Sequence, residues 1–274
     1  SLRPKKFDAA ILLQNAIEAA IIALAAGIGV RAGYNSDGRG FLLTHPVRRT
    51  ANILRVHQID YYLEMVKALG CADVDRALHL ETRLSTATSR EILHKYLPEN
   101  NRPLIGIAPG ATYGPAKRWL PERFAQAGES LAKILNAQVL LFGGGDDRET
   151  AEQVRGQAQT DMINLAGRAS LPDSVYLISQ CRLFLSNDSG LMHVAGGLNI
   201  PTVAIFGSTN PVTTSPAGER TMLVRKETPC SPCLKKTCPT DFRCMTAVTV
   251  EDVVEAALTL LNGTAGPRPD NQKS

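Results

Sequence analysis

No apolar run in the 274 residues reaches the roughly 20 needed to cross a bilayer. The longest candidate, residues 16–28, carries Glu18 and is interrupted by Gly27. The basic opening with Arg3, Lys5 and Lys6 is followed by no signal-peptide cleavage pattern, so a cytoplasmic location is the expectation. Charge of one sign is also scarce. Thirty Lys and Arg against 26 Asp and Glu leave +4, with a single Trp and no basic patch interleaved with aromatics. That balance argues against nucleic acid as a partner. It suits an anionic metabolite or a weak contact with an acidic membrane surface, and ordinary solubility accounts for it equally well. No Gly-x-x-x-x-Gly-Lys-Ser/Thr stretch is present, which disfavours a Walker nucleotide site, and Gly106 and Gly110 fall short of Gly-x-Gly-x-x-Gly. No repeat recurs at solenoid spacing.

What is present is alternation. With 44% hydrophobic residues the chain can bury one large core or two medium ones. Residues 7–13 read as a strand, 17–26 as an apolar helix, 30–33 as a short strand and 38–45 as a loop. Ile59, Leu63, Val66 and Leu69 give helical spacing within 53–69. Residues 77–98 look irregular and lead to Asn100-Asn101-Arg102-Pro103, a candidate hinge. Beyond it, strands at 104–108, 139–142, 163–165, 183–185 and 202–206 alternate with helices at 121–135, 148–157 and 172–180. That order predicts an α/β fold with a doubly wound parallel sheet. The expected domains are 1–100, incomplete, and 101–250, then a terminal helix at 251–262 and a disordered tail at 263–274.

Three glycine-bearing strand exits could line one crevice: Pro109-Gly110-Ala111-Thr112, Gly143-Gly144-Gly145 and Asp188-Ser189-Gly190. Small residues let backbone approach a phosphate, and helix-start amides point at it. Each loop alone could equally be a tight turn. Lys117 could reach a pyrophosphate as a point charge, or with Arg118 merely face solvent. His193 would stand above the first turn of a helix begun at Gly190, either donating to a ligand or satisfied within the fold. Asp188 and Ser189 are candidate caps of that helix. Cys230, Cys233, Cys238 and Cys244 form C-x2-C-x4-C-x5-C. A structural zinc, an iron–sulfur cluster, packing thiols and oxidised pairs all fit that spacing. Cys71 and Cys181 read as small buried hydrophobes.

The run from Pro109-Gly110-Ala111 to Lys117-Arg118-Trp119, the stretch Asn187-Asp188-Ser189-Gly190-Leu191-Met192-His193-Val194-Ala195, and residues 203–210 resemble the ADP-heptose:lipopolysaccharide heptosyltransferases, glycosyltransferase family 9. The resemblance extends over about residues 7–261. It implies a GT-B architecture of two Rossmann-like domains, the acceptor on the N-terminal one, incomplete here, and the nucleotide sugar on the C-terminal one. The implied reaction is inverting transfer of L-glycero-D-manno-heptose from ADP-heptose to the lipopolysaccharide inner core, at the cytoplasmic face of the inner membrane with peripheral contact. No metal or other cofactor is implied by that scheme. Lys117 and Asp188 become the candidate catalytic residues, and Gly110, Thr112, Lys117, Asp188, Ser189, Gly190 and His193 the candidate donor-binding set. Family members open with a strand and a glycine-rich turn carrying an aspartate general base. The resemblance places that segment upstream of residue 1, and Asp8 stands on a different strand. Alternatives are another nucleotide-sugar transferase or an epimerase of the same architecture, or a donor-binding fragment without turnover.

Overall fold

The computed structural model describes residues 2–72 and 75–263. The expected tail beyond Gly263 therefore lies outside the described residues. Contacts divide the chain into two compact units, Ser1–Arg76 and Ala77–Ser274.

In the first unit, β1 (Ala9–Leu12), β2 (Val30–Tyr34) and β3 (His45–Val47) form a parallel sheet in that order, with α1 (Ile17–Ala25) and α2 (Gln58–Ala68). The helix expected from residue 53 begins later. His57 caps it by accepting from the Ile59 amide at 3.2 Å, and Asn52–Leu54 makes a separate 3-10 turn. β3 is only three residues with a proline, too short for an alternating pattern to announce it. Tyr34, Val47, Tyr61 and Met65 form a small core. The Tyr34 and Tyr61 rings lie 4.4 Å apart, and burial pushes the Tyr34 phenol up to about 12. Arg39 is fully buried. Its guanidinium donates to the carbonyls of Tyr34 (3.0 Å), Leu12 (3.4 Å), Ala16 (3.4 Å) and Gln14, tying together the turns that leave β1 and β2.

In the second unit, α3 (Thr86–Tyr96) replaces the irregular region expected over 77–98. Ser85 caps it through the Thr88 amide (3.1 Å), and Ile92 is buried. Tyr96 donates to Asp173 Oδ2 at 2.8 Å on α6 (Leu171–Ser179). These contacts move the division from residue 100 to Arg76/Ala77, and the expected hinge at 100–103 sits inside the second unit. There the Gln138 amide donates to the Pro103 carbonyl at 2.8 Å.

The six-stranded sheet runs parallel in the order β6-β5-β4-β7-β8-β9. Its strands are β4 (Leu104–Ala108), β5 (Gln138–Leu141), β6 (Met162–Asn164), β7 (Cys181–Asn187), β8 (Thr202–Ile205) and β9 (Thr221–Val224). Around it lie α4 (Pro121–Leu135), α5 (Arg148–Gln157), α7 (Gly190–Gly197), the short helices α8 (Pro211–Thr214) and α9 (Arg243–Thr246), and α10 (Val250–Leu261). Alternate strand residues feed two faces. Ile105, Ile107, Leu183 and Leu185 pack with Phe124, Leu131 and Val253 on one side, while Leu140, Phe142 and Phe184 pack with Ile92 and Leu177 on the other. The chain winds outward from β4 through β5 to β6, then returns to β7 and winds the other way. The order reverses between β4 and β7, which makes the carboxyl ends of these two strands the switch point where α/β sheets bind ligands.

Candidate functional site

At that switch point the β4 and β7 exits meet through Asn187, the last residue of β7 and fully buried. Its Nδ2 donates to the Pro109 carbonyl at 2.7 Å, and its Oδ1 accepts the Trp119 amide at 2.9 Å. One amide group thus fixes both ends of the loop that carries Lys117. Trp119 closes the far end: its ring is fully buried against Phe124, and Nε1 donates to the Val248 carbonyl at 3.0 Å.

Between these anchors Pro115–Lys117 forms a 3-10 turn that presents Lys117 to the next residue of the β7 exit. Lys117 Nζ lies 2.6 Å from Asp188 Oδ2, with side-chain exposures of 12% and 5%. At that burial the attraction is screened far less than in a surface pair, so the ammonium is held rather than mobile. Thr214 of α8 donates to the same carboxylate oxygen at 3.3 Å, and the ammonium sits 4.9 Å over the Tyr113 ring. Asp188 is therefore engaged by side chains and does not cap α7.

Ser189 occupies the N-cap position of α7, yet no side-chain hydrogen bond caps that helix. The Ser189 hydroxyl lies 3.0 Å from Ser186 Oγ instead. The expected Asp188/Ser189 cap is thus replaced by contacts to other side chains, and the first amides of α7 stay available to an anion. A Cβ at Gly190 would meet open space. His193 lies half-buried one turn into α7.

The β5 exit joins the same crevice with a different chemistry. Asp147 packs on Gly110 so closely that a Cβ there would come 2.0 Å from the carboxylate. Asp147 Oδ2 also accepts the Gly144 amide at 3.1 Å. The triple-glycine turn therefore directs its Gly144 amide to its own carboxylate. Arg118 joins this group, 4.0 Å from Asp147 and 3.3 Å from the Thr150 hydroxyl. Thr112 is exposed at the loop surface. Of the candidate donor residues, Gly110, Lys117, Asp188, Ser189 and Gly190 lie on the exits meeting at the switch point.

Asn187, Tyr113 and Thr214 have positioning contacts that the sequence reading did not assign. Asn187 stood inside the recognised motif, but nothing in the spacing distinguishes a ligand-facing amide from one that ties two loops. The Leu234 and Lys236 carbonyls also reach the loop, accepting from Tyr113 OH (2.7 Å) and the Ala116 amide (3.0 Å). Among the described residues, no three His, Cys, Asp or Glu side chains stand together as a metal-ligand set. No helix among them is long and apolar enough to cross a membrane.

The family model described as glycosyltransferase family 9 (heptosyltransferase) matches residues 1–242. Lipooligosaccharide heptosyltransferase 2 of Haemophilus ducreyi is 36% identical over 244 residues, which cover 82% of this chain and 67% of that protein. Lipopolysaccharide heptosyltransferase 2 of Escherichia coli K12 is 32% identical over 234 residues with the same two coverages. The solved E. coli ADP-heptose lps heptosyltransferase II superposes with a TM-score of 0.81 at 29% identity, covering 97% of this chain and 80% of that one.

Proposed function

The chain belongs to glycosyltransferase family 9, the heptosyltransferases, and from that premise we propose that it transfers heptose from ADP-heptose to the lipopolysaccharide inner core. It is a glycosyltransferase of α/β, GT-B type. The observation that carries the donor assignment is the Lys117–Asp188 pair at the β4/β7 switch point, beside a helix start without a side-chain cap.

The diphosphate lies against the first amides of α7, with Gly190 giving backbone room, Gly110 making room for the Asp147 carboxylate beside it, and Thr112, Ser189 and His193 lining the donor. Lys117 supplies the cation. As the acceptor hydroxyl attacks the anomeric carbon from the face opposite the diphosphate and yields its proton to a general base, the anomeric C–O bond to the diphosphate breaks and negative charge builds on departing ADP. A preorganised ammonium and helix-start amides stabilise that charge without reorganising at the moment of reaction. Asp188 is a positioning residue in this scheme: it holds the ammonium at the crevice, and Thr214 holds Asp188. Inversion follows from a single displacement. The acceptor is a membrane glycolipid, so the reaction is placed at the cytoplasmic face of the inner membrane, with peripheral contact.

Titration of the protein with ADP, UDP and GDP, followed by transfer assays with ADP-heptose and an inner-core acceptor, tests this reading. Tighter binding of ADP and a β-to-α change at the anomeric carbon, or its converse, are expected. Equal affinity for all three nucleotides would reject an adenosine-diphosphate donor site.

A further inference from the structure

Tyr113, on the loop that carries Lys117, has two ammoniums over its ring. Lys117 Nζ lies 4.9 Å from the ring centroid and Lys236 Nζ lies 5.8 Å from it. The two charges therefore stand no more than about 11 Å apart.

Lys236 belongs to the segment between β9 and α9, and its main chain is fixed against the Lys117 loop. Its carbonyl accepts the Ala116 amide at 3.0 Å, and two residues earlier the Leu234 carbonyl accepts the Tyr113 hydroxyl at 2.7 Å. Gly114 lets the two backbones meet: the three atoms nearest the place of a Cβ there all belong to the Lys236 main chain. Backbone thus sets where the Lys236 side chain begins, and its flexible stem leaves the ammonium free to swing.

The two lysines differ in what holds their charge. Lys117 is matched by Asp188 at 2.6 Å, so that pair is neutral as a unit. Lys236 is exposed, and among the described residues it forms no ion pair. A nucleoside diphosphate ester bears a negative charge on each phosphoryl group. The first turn of α7 offers the equivalent of about half an elementary charge. Most of the ligand's charge is then left unmatched by the crevice itself, and Lys236 brings an uncompensated cation to the same aromatic ring.

We propose that Lys236 is a second donor-site cation, whose ammonium leaves the Tyr113 ring to contact the diphosphate together with Lys117. The inference rests on the reading of the Lys117 crevice as the donor site, and it adds a residue that the sequence motifs did not single out. The hold of an exposed ring on an ammonium is weak beside a charge-assisted bond to a phosphoryl oxygen, so the ligand wins the exchange.

Calorimetric titration of the whole protein with ADP at low and moderate salt tests this, on wild type, Lys236→Met, Lys236→Arg and Lys235→Met. Lys236→Met should weaken ADP about tenfold, flatten the salt dependence of that affinity and leave the unfolding midpoint unchanged. Methionine keeps the apolar stem, and the carbonyl that holds Ala116 is untouched. Lys236→Arg should recover most of the affinity. Lys235 instead lines a cavity with the cysteines of the same segment, and Lys235→Met should bind ADP as the wild type does. Three results would overturn the proposal. Weaker ADP binding with its salt dependence intact would reveal a structural effect, and equal weakening by Lys235→Met a diffuse field. Unchanged ADP affinity with a raised acceptor KM would move the contact to the acceptor. In that case a wild type that still prefers ADP over UDP and GDP keeps the donor-site reading, and Lys236 alone is rejected. A wild type that binds no ADP rejects both.

Discussion

Lys117 and Asp188 lie 71 positions apart in the chain, yet their charged atoms stand 2.6 Å apart at 12% and 5% side-chain exposure. A pair so placed does two things at once. It aims a cation into the crevice, and it satisfies a carboxylate that would otherwise be buried alone. These two roles can be separated by mutation.

Lys117→Met should destabilise the protein by about 3 kcal/mol, because it strands the Asp188 carboxylate. It should also lower the transfer rate constant roughly 100-fold by removing the proposed leaving-group cation. Adding Asp188→Leu should restore most of the stability while transfer stays low. Chemical denaturation and steady-state kinetics on the single and double variants check this. Recovery of transfer along with stability would show that Lys117 acts only through folding.

Asn187→Ala removes the group that holds the Pro109 carbonyl and the Trp119 amide. Two buried polar groups lose their partner, so a loss of about 3 kcal/mol is expected. ADP binding should weaken with it, since both anchors of the Lys117 loop are released. Calorimetric titration on protein verified as folded by circular dichroism gives the answer. Unchanged ADP affinity would mean that the loop keeps its place without that amide.

Asp173 ties α3 to α6 and carries a pH dependence. The Tyr96 hydrogen bond is the main cause that holds its carboxyl below the usual range, with burial opposing and Ser170 and Lys95 assisting. A depressed folded-state pKa contributes stability above the unfolded value of about 3.9, and that contribution is lost as pH falls through the folded value. Tyr96→Phe should therefore cost about 1 kcal/mol at neutral pH and progressively less below about pH 4. Urea denaturation across that range checks the sign; a cost that grew in acid would refute it.

Arg39→Met should act locally. It leaves up to four carbonyls without their guanidinium partner, at a cost of about 3 kcal/mol or more. Hydrogen exchange should accelerate at the amides of β1 and β2 more than in β4 and β7. Uniform acceleration across both sheets would contradict a local role.

Much of the second unit was legible because its strands are buried on both faces and read as short apolar runs separated by glycine turns and helical spacing. The first unit was harder. β3 has three residues, and α2 starts where a histidine caps it rather than where apolar spacing begins. α3 escaped because Ile92 is its one buried residue, and part of its tie to α6 is polar, from Tyr96 to Asp173. At the site, the sequence motifs pointed to neighbouring strand exits and misjudged two of the side-chain partners there. Periodicity cannot tell that Asp147 would occupy the Gly144 amide, nor that Asp188 would take Lys117 in preference to a helix end. Those choices depend on which loops the sheet order brings together.

Gly114 sits one residue before the turn that presents Lys117, with φ +155°, and an added Cβ would lie 2.4 Å from the Lys236 carbonyl oxygen. Even one methyl group here would wedge two backbones apart while every charge in the crevice remained in place. Gly114→Ala thus offers a purely steric way to displace the ammonium. The position of the Lys117 ammonium is governed as much by an atom that is missing at Gly114 as by the carboxylate it touches.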